Sequence, residues 1–175
     1  MTREGAWEYL LRVLARQSYT VSELRRKLKL RDVPDESIEE LLARLQELKL
    51  VDDATYAEQY VASRKASRGR LALSQELRRK GIAEELAAQR IGTLTSVQQL
   101  EAATALLRKN AWRYRPDAEQ EVSKRGVAPS SDAENESRAD LLRARAKAMG
   151  FLARRGFAAD VAVAAIEASG WFEDK

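Results

Sequence analysis

The stretch SQELRRKGIAEEL, residues 74–86, contains both the end of one predicted helix and the start of the next. Gly81 stands where a helix of this kind takes the left-handed conformation at its C-terminus. Leu77 and Ile82 occupy the two positions that make the apolar contact of a Schellman cap. The stretch therefore predicts a helix that ends at a fixed point and directs the following helix.

The same ending occurs at two other places in the chain. LARRGF at 152–157 has the glycine and both apolar residues, and LKLRDV at 28–33 has Asp32 in place of glycine. Aspartate adopts a positive φ less easily than glycine but more easily than most residues. A helix ending that recurs indicates a repeated structural unit.

Two offsets relate the copies of this unit. An offset of 49 residues places Trp7 with Tyr56, Leu11 with Tyr60, Leu28 with Leu77, Val33 with Ile82, Leu42 with Ile91, and Leu45 with Leu94. A further offset of 75 places Leu77 with Leu152, Ile82 with Phe157, and Ile91 with Ile166. The longer second offset predicts an insertion, which we place at about 113–137, where two of the three prolines and a cluster of serines interrupt the helical pattern. We interpret this insertion as a disordered loop.

Composition and periodicity predict an all-α fold. Leu, Ala, Glu and Arg dominate, and the chain has only eight glycines and three prolines. Thr20 and Glu23 have the spacing of a capping box at the start of a second helix. We expect three tandem three-helix repeats, at 1–50, 51–96 and 97–175. The helices of the last repeat are predicted at about 97–112, 138–155 and 158–169.

Several classes of function are disfavoured by the residues that are missing. The 175 residues contain no cysteine and no histidine, so disulfides, thiolate metal sites and Cys–His catalytic pairs are excluded. Phosphate-binding glycine motifs do not occur, and Asp52 and Asp53 are interpreted as helix caps rather than metal ligands. No apolar run is long enough to cross a membrane, and the N-terminus does not resemble a signal peptide. We expect a cytoplasmic protein that is not an enzyme and needs no cofactor or metal.

Charge is distributed unevenly among the helices. The net charge is only +4, from 31 Lys and Arg against 27 Asp and Glu. However, the segments 12–31 and 64–80 each contain seven basic residues against one acid, and 138–155 contains six against one. These segments include the second helix of each repeat, whereas acids concentrate in the third helices. A basic surface that recurs with the repeat favours a long acidic partner, such as a phosphate backbone or an acidic groove in a protein polymer.

Aromatic residues divide into two groups. Trp7, Tyr56 and Tyr60 occupy repeat positions that we interpret as core. Trp112, Tyr114 and Trp171 lie near helix ends or the insertion, where partner contact is an alternative to packing.

Four pieces of the sequence resemble the RecX family of bacterial regulators of the RecA recombinase. They are LLRVLARQSYTVSELRRKL at 10–28, LKLVDDATYAEQYVASR at 48–64, LSQELRRKGI at 73–82, and FLARRGF at 151–157. The resemblance covers residues 6–94 well and 138–169 moderately. It departs from the family pattern at Asp32, where glycine is usual, and at the long insertion.

The resemblance implies an elongated, curved protein that acts as a monomer. It would bind lengthwise in the groove of the RecA–single-stranded DNA filament, and would inhibit ATP hydrolysis and strand exchange in homologous recombination and DNA repair. Single-stranded DNA itself would be contacted weakly or through the filament. The partner-binding residues predicted on this basis, together with the charge pattern, are Arg25, Arg26, Lys27, Arg64, Lys65, Arg68, Arg70, Arg78, Arg79, Lys80, Arg154 and Arg155.

Two alternatives stay open at this point. Three-helix units with a basic helix also resemble helix-turn-helix geometry, so the chain could be a DNA-binding transcriptional regulator. It could also be a helical adaptor that binds no DNA.

Overall fold

The computed structural model describes residues 2–115 and 131–172, with side chains for 2–115 and 138–172. All regular secondary structure in this part of the chain is helical, which confirms the predicted all-α class. The helices in chain order are α1 (Arg3–Leu14), α2 (Val21–Lys29), α3 (Asp35–Glu47), α4 (Asp53–Arg64), α5 (Arg70–Arg79), α6 (Glu84–Gly92), α7 (Ser96–Lys109), α8 (Ala111–Tyr114), α9 (Ser131–Arg154) and α10 (Ala159–Glu167). None of the described helices is long and apolar enough to span a membrane.

The chain forms two compact units. Unit 1 comprises Met1–Arg64 and Leu73–Thr93, and unit 2 comprises Lys65–Ala72 and Leu94–Lys175. In unit 1, α2 packs on α3 and α4 packs on α6. The core under α1–α3 is built from Ala6, Leu10, Leu24, Leu28, Val33, Ile38, Leu41, Leu42, Leu45 and Val51.

Unit 2 has its own core. Helix α10 packs against both α7 and α9, and α8 packs against α9. The buried residues of this cluster are Ala103, Leu107, Tyr114, Ala148, Phe151, Leu152, Phe157, Ala162, Ala165 and Ile166.

The offsets predict core positions correctly in the second helices α2, α5 and α9. Leu28, Leu77 and Leu152 are all fully buried, at the same position of each helix. The predicted register of α1 and α4 is wrong. The buried pairs are Ala6 with Leu10 on α1 and Ala57 with Val61 on α4, whereas Leu11 is 40% exposed and Tyr56 and Tyr60 are only half-buried. Trp7 is also half-buried, but it packs against the core as predicted.

The register differs because the connection between the first and second helices is shorter in the second copy. The chain advances ten residues from buried Leu10 to Thr20 at the start of α2, and eight residues from buried Val61 to the equivalent Gly69. An alignment based on the second helices therefore predicts burial for the wrong face of the first helices, α1 and α4.

The predicted insertion at about 113–137 is helical at both edges. Arg113 and Tyr114 belong to α8, and α9 begins at Ser131 rather than near 138. The sequence after Ser131 contains three acids, Asp132, Glu134 and Glu136, and acids near a helix N-terminus are favoured by the helix dipole. The rest of this prediction, at 116–130, lies outside the described residues.

All three predicted Schellman caps are present. Asp32, Gly81 and Gly156 have φ values of 52°, 77° and 80°. At Gly81 the N–H bonds to the Arg78 carbonyl at 2.9 Å, and the N–H of Ile82 bonds to the Leu77 carbonyl at 3.1 Å. These are the two hydrogen bonds that define the motif, so the basic last turn of each second helix ends in a fixed geometry.

In unit 1, the end of α5 docks on the start of α2. The hydroxyl of Thr20, a fully buried residue, donates to the Lys80 carbonyl at 2.6 Å. A Cβ added to Gly81 would lie 2.2 Å from both Cβ and Oγ of Ser22. Glycine is therefore needed at position 81 for its conformation and also for this close approach.

Unit 2 contains an equivalent junction between the start of α5 and the end of α9. The N–H of Gly69 donates to the Arg155 carbonyl at 2.8 Å, and the N–H of Leu71 donates to the Gly156 carbonyl at 3.1 Å. A Cβ on Gly69 would lie 2.1 Å from the Gly156 oxygen. The paired positions, 20 with 80 and 69 with 155, are related by the sequence offsets of 49 and 75.

At each junction, a side chain from another helix also caps the N-terminus of the helix that begins there, α2 or α5. Asp53, on α4, accepts a hydrogen bond from the N–H of Val21 at 2.9 Å. Gln99, on α7, accepts one from the N–H of Arg70 at 3.0 Å. Both side chains satisfy an N–H group that has no partner within its own helix.

Candidate partner-binding surface

The twelve predicted partner-binding residues are divided between the units. Unit 1 contains Arg25, Arg26, Lys27, Arg64, Arg78, Arg79 and Lys80, and unit 2 contains Lys65, Arg68, Arg70, Arg154 and Arg155. Their exposure and their contacts within each unit distinguish cations that are available to a partner from cations with a role inside the protein.

Five of the twelve are exposed and, within the described residues, have no ion pair, side-chain hydrogen bond or contact with an aromatic ring. These are Arg26 on α2, Arg78 and Arg79 in the last turn of α5, Lys65, and Arg154 at the end of α9. Cations in a last helical turn complement the helix dipole, but by only about 0.3–1 kcal/mol. Their charge therefore remains available at the surface for an acidic partner.

Arg25 forms a paired contact with Glu39. Its Nε and Nη2 atoms donate to the two carboxylate oxygens at 2.8 and 2.7 Å. These hydrogen bonds, with the attraction between the opposite charges, raise the pKa of Arg25 and lower the pKa of Glu39. The pair ties α2 to α3 at the surface, where such pairs contribute little to stability. Binding through Arg25 requires a partner to compete with Glu39.

Lys80 is half-buried and held by several groups of unit 1. Its Nζ lies 2.9 Å from Glu23 Oε1, and above the rings of Tyr56 and Tyr60 at 5.5 and 5.7 Å. Partial burial acts to lower the pKa of Lys80, but contacts with Tyr56 and Glu23 outweigh it and the pKa is raised. The structure thus gives Lys80 an internal role at the junction between α2 and α5.

The aromatic rings of α4 form a ladder beside this lysine. Tyr56 and Tyr60 stack with their centroids 6.1 Å apart, and the guanidinium of Arg64 lies 4.8 Å above Tyr60. The Tyr60 hydroxyl donates to Glu76 at 2.9 Å. Burial and this hydrogen bond raise the pKa of Tyr60. These contacts keep the Arg64 side chain in one orientation on the surface of α4.

A cation stacked on an aromatic ring precedes each Schellman residue. Arg31 lies 3.8 Å from the Tyr9 centroid, Lys80 lies over Tyr56, and Arg155 lies 5.3 Å from the Phe151 centroid. The residue one position earlier is exposed in every copy, and it is Leu30, Arg79 or Arg154. The repeated motif thus separates a structural cation from an outward-facing position, a distinction that the sequence alone did not reveal.

The remaining predicted cations of unit 2 are partly engaged with backbone carbonyls. The Arg70 guanidinium donates to the Leu94 carbonyl, and Arg68 makes a long contact of 3.5 Å to the Ser67 carbonyl. Lys27 in unit 1 also has a contact within the protein, because its Nζ lies 4.7 Å above the Tyr19 ring. Cations that contact groups inside the protein and cations that remain available to a partner therefore lie close together along the chain.

The paired aspartates have separate capping roles. Asp52 accepts from the N–H groups of Ala54 and Thr55 and from the Thr55 hydroxyl, which lowers the pKa of Asp52. Asp53 is half-buried, and burial raises its pKa despite the hydrogen bond from Val21. Within the described residues, no group of three or more Asp and Glu residues is arranged to hold a metal ion.

An open groove in unit 1 lies beside these caps. It has a volume of about 610 Å³ and is lined by Leu14, Ser18, Tyr19, Gln46, Lys49, Leu50, Val51, Asp52, Thr55, Tyr56 and Gln59. Lys49 has a φ of 54°, and the adjacent Leu50 is 47% exposed. The groove carries one cation and one anion, so its charge does not select a class of partner.

The three candidate aromatic contacts have different environments. Trp112 is 82% exposed, whereas Tyr114 is buried in the core of unit 2 with its ring 4.8 Å from Phe151. Trp171 is half-buried and packs against the same core. Only Trp112 of the three is largely open to a partner.

Comparisons with known proteins agree on one family. The family model described as "RecX, first three-helix domain" matches residues 6–45, and "RecX, second three-helix domain" matches 52–89. The regulatory protein RecX of Mycobacterium sp. (strain JLS) is 33% identical over 162 residues, covering 91% of this chain and 79% of the relative. The regulatory protein RecX of Thermobifida fusca (strain YX) is 35% identical over 154 residues, covering 87% and 71%.

Solved structures share the fold. The crystal structure of RecX from Lactobacillus salivarius superposes with a TM-score of 0.73 at 24% identity, over 96% of both chains. A crystal structure described as regulatory protein RecX has a TM-score of 0.68 at 27% identity, covering 94% of this chain and 71% of its own.

Proposed function

Because the chain belongs to the RecX family of regulatory proteins, we propose that it regulates homologous recombination and DNA repair by binding the RecA–single-stranded DNA filament. It inhibits the ATPase and strand-exchange activities of that filament without chemistry of its own. It acts in the cytoplasm as a monomer, and its three tandem three-helix repeats, at 1–50, 51–96 and 97–175, lie lengthwise along the filament groove.

The observation that carries the proposal is the set of exposed cations at the ends of the second helices. Arg78 and Arg79 project from the last turn of α5, and Arg154 projects from the last turn of α9. Hydrogen bonds of the Schellman caps fix both helix ends, so these charges are held by rigid elements. Cations held on fixed helix ends suit a partner whose acidic groups also occupy fixed positions.

Inhibition follows from bridging. Bridging inhibits a filament whose ATP turnover requires its subunits to change their relative arrangement. A protein that contacts successive subunits opposes this change, because its binding free energy is available in only one arrangement. Because each bound copy contacts more than one subunit, inhibition needs less than one copy per subunit.

The test is the single-stranded-DNA-dependent ATPase rate of the cognate RecA, with this protein added well below one copy per recombinase. We expect the rate to fall, and strand exchange to fall with it. The variant R78E/R79E should abolish most of the inhibition while the far-ultraviolet circular dichroism stays unchanged.

A matched control is available in α7. Arg108 and Lys109 are also adjacent, exposed and in the last turn of a helix, so R108E/K109E makes the same charge change outside the second helices. The assignment is wrong if R78E/R79E inhibits as well as the wild type, or if both variants lose inhibition equally. Absence of inhibition together with sequence-selective binding to duplex DNA would support a transcriptional regulator instead.

A further inference from the structure

A cavity between α8 and α9 in unit 2 collects positive charge from both helices. Its volume is about 370 Å³, and it is lined by Arg113 and Tyr114 from α8 and by Ala146, Lys147, Gly150 and Arg154 from α9. Three of these six lining residues are cations, and none of the described residues that line the cavity is acidic. A concave site with this charge attracts anions.

Gly150 makes room on the α9 side of the cavity. Lys147 and Arg154 are seven residues apart on α9, which places them on one face with roughly 10 Å between their positions along the axis. Gly150 lies on the same face, between them. The Arg154 side chain turns back towards this glycine, with Nη1 3.3 Å from the point where a Cβ of residue 150 would lie. Both cations of α9 therefore line one space.

Tyr114 holds the α8 side of the cavity in place. It is buried, and its ring packs on Phe151 at 4.8 Å. The Arg113 guanidinium lies 5.8 Å from the Tyr114 centroid. Within the described part of the chain, the three cations of the cavity have no carboxylate partner. Because like charges repel one another, an anion bound between them is stabilised and displaces no internal ion pair.

The number of cations and the size of the cavity indicate the kind of anion. A volume of about 370 Å³ lies near the lower end of the range for small-molecule sites. An acidic peptide or a nucleic-acid strand spreads its charges along an extended chain, one on each side chain or phosphate. A polyphosphate group carries several negative charges within one compact group, which matches both the volume and the charge. Arginine binds phosphate through paired hydrogen bonds, and lysine binds it as a point charge.

We propose that the cavity between α8 and α9 is a binding site for a small polyphosphate, either an inorganic one or the polyphosphate group of a nucleotide. The site goes beyond the function proposed above, and binding to it requires no recombinase. Arg154 is also one of the exposed cations on which the proposed function rests. A bound polyphosphate neutralises that cation and so weakens inhibition of the filament, a consequence that rests on the proposed function.

The experiment is a calorimetric titration of the full-length protein with sodium tripolyphosphate, at constant ionic strength and without divalent cations or recombinase. The variant R113Q/K147Q should weaken binding on the order of ten-fold or more, because two charge-assisted contacts are lost. The matched control is R138Q/R143Q, which also removes two cations of unit 2. Neither Arg138 nor Arg143 lines the cavity, so this control should bind as the wild type does.

A second variant separates the cavity from general charge. Gly150→Gln places a side chain in the cavity and keeps every charge. It should weaken binding of tripolyphosphate as much as R113Q/K147Q does, with the circular dichroism unchanged. The proposal is overturned if Gly150→Gln binds as the wild type does, or if R113Q/K147Q and R138Q/R143Q bind alike.

A parallel titration with ATP separates the two sources of the polyphosphate group. Trp112 directly precedes Arg113 and is 82% exposed, so its ring is available for stacking on a base. Tighter binding of ATP than of tripolyphosphate, with the difference removed by W112A, would identify a nucleotide as the ligand. Equal affinities would identify an inorganic polyphosphate. The proposal is overturned if an oligothymidylate at equal total phosphate displaces tripolyphosphate better than ATP does, because the ligand would then be a nucleic-acid backbone.

The same variants distinguish failure of this site from failure of the proposed function. Arg113 and Lys147 are not among the predicted partner-binding residues, so R113Q/K147Q should inhibit the RecA ATPase as the wild type does. Tripolyphosphate should weaken inhibition by the wild type but not by this variant, after subtraction of its effect on the recombinase alone. Absence of tripolyphosphate binding with inhibition intact would overturn the site alone. Binding to the cavity without any inhibition would support the site and contradict the proposed function.

Discussion

Replacing Gly81 with alanine should destabilise unit 1 by an amount that can be worked out from two local contacts. Gly81 has a φ of 77°, and its missing Cβ would lie 2.2 Å from Cβ and Oγ of Ser22. A left-handed alanine costs about 1–2 kcal/mol, and overpacking at a tight contact costs about 1–3 kcal/mol. The lower entropy of the unfolded alanine chain offsets about 0.4–1 kcal/mol of this. The expected loss in the free energy of unfolding is therefore about 3 kcal/mol.

The assay is urea unfolding followed by circular dichroism, with Gly92→Ala as the control. Gly92 ends α6 without a positive φ, and a Cβ there would have no neighbour within 4 Å. Alanine at position 92 should leave stability unchanged or raise it by up to about 1 kcal/mol.

A double variant separates the two causes at Gly81. Ser22→Gly removes both atoms that an alanine at position 81 would strike, and the Ser22 Cα is 3.8 Å away. Added to Gly81→Ala, it should recover the overpacking part of the loss and leave the backbone part, which gives a favourable coupling energy in a double-mutant cycle. If Gly81→Ala and Gly92→Ala unfolded at the same urea concentration, the close approach of α5 to α2 would be refuted.

Three further predictions concern the junctions and the surface. Asp53→Ala should cost about 1–2 kcal/mol because the Val21 N–H loses its cap, whereas Asp53→Asn should retain the cap, as the amide of Gln99 does for Arg70. Because burial raises the pKa of Asp53, the stability of the wild type relative to Asp53→Asn should decrease as pH rises from about 4 through the folded pKa. Thermal unfolding of both proteins over a pH series measures this relative stability. A relative stability that increased with pH would contradict the expected sign. Thr20→Val should lower the free energy of unfolding in urea by about 1–3 kcal/mol, because it removes the capping box and leaves the Lys80 carbonyl without its hydrogen-bond donor. A loss below about 0.5 kcal/mol, the lower limit for one cap, would count against the junction between α2 and α5. Arg79→Gln and Arg154→Gln should each weaken inhibition of the RecA ATPase, whereas Arg155→Gln should change it little, because Arg155 lies on the Phe151 ring; the opposite ranking would reverse the assignment of structural and exposed cations.

The parts of the fold that depend on local sequence could be predicted. A Schellman cap needs only a residue that accepts positive φ and two apolar residues around it, so Leu77, Gly81 and Ile82 were sufficient to define it. The capping box of Thr20 and Glu23 is equally local, and the structure contains both of its hydrogen bonds. Helix ends were predictable because their chemistry lies within a few residues.

The register of the first helices was not predictable in this way. Trp7 and Tyr56 were interpreted as core from their aligned repeat positions, yet Ala6 and Ala57 are the residues fully buried. Small residues let neighbouring helices approach closely, and this preference has no local signal. The half-buried Trp7 ring packs against the core and also supports the Arg44 guanidinium at 4.6 Å.

The junctions were also beyond local prediction. Thr20 and Lys80 are 60 residues apart, and the bond between them uses a backbone carbonyl that any residue possesses. Asp53 was correctly interpreted as a cap, but the helix it caps is α2 rather than its own. The recurrence of an acceptor near the start of α4 and α7 was visible in the sequence only as Asp53 and Gln99, two different residue types.

The repeated helix ending explains why the basic residues divide into two kinds. The residue before the left-handed position lies against an aromatic ring in all three copies, as Arg31, Lys80 and Arg155 do. The residue before that one points outward, because successive helical residues are about 100° apart. Arginine occupies this outward position in the second and third copies, whereas exposed Leu30 occupies it in the first. If the outward position binds the partner, the first copy makes an apolar contact where the others make charged ones. Salt should therefore weaken the contact made by Arg79 or Arg154 more than the contact made by Leu30.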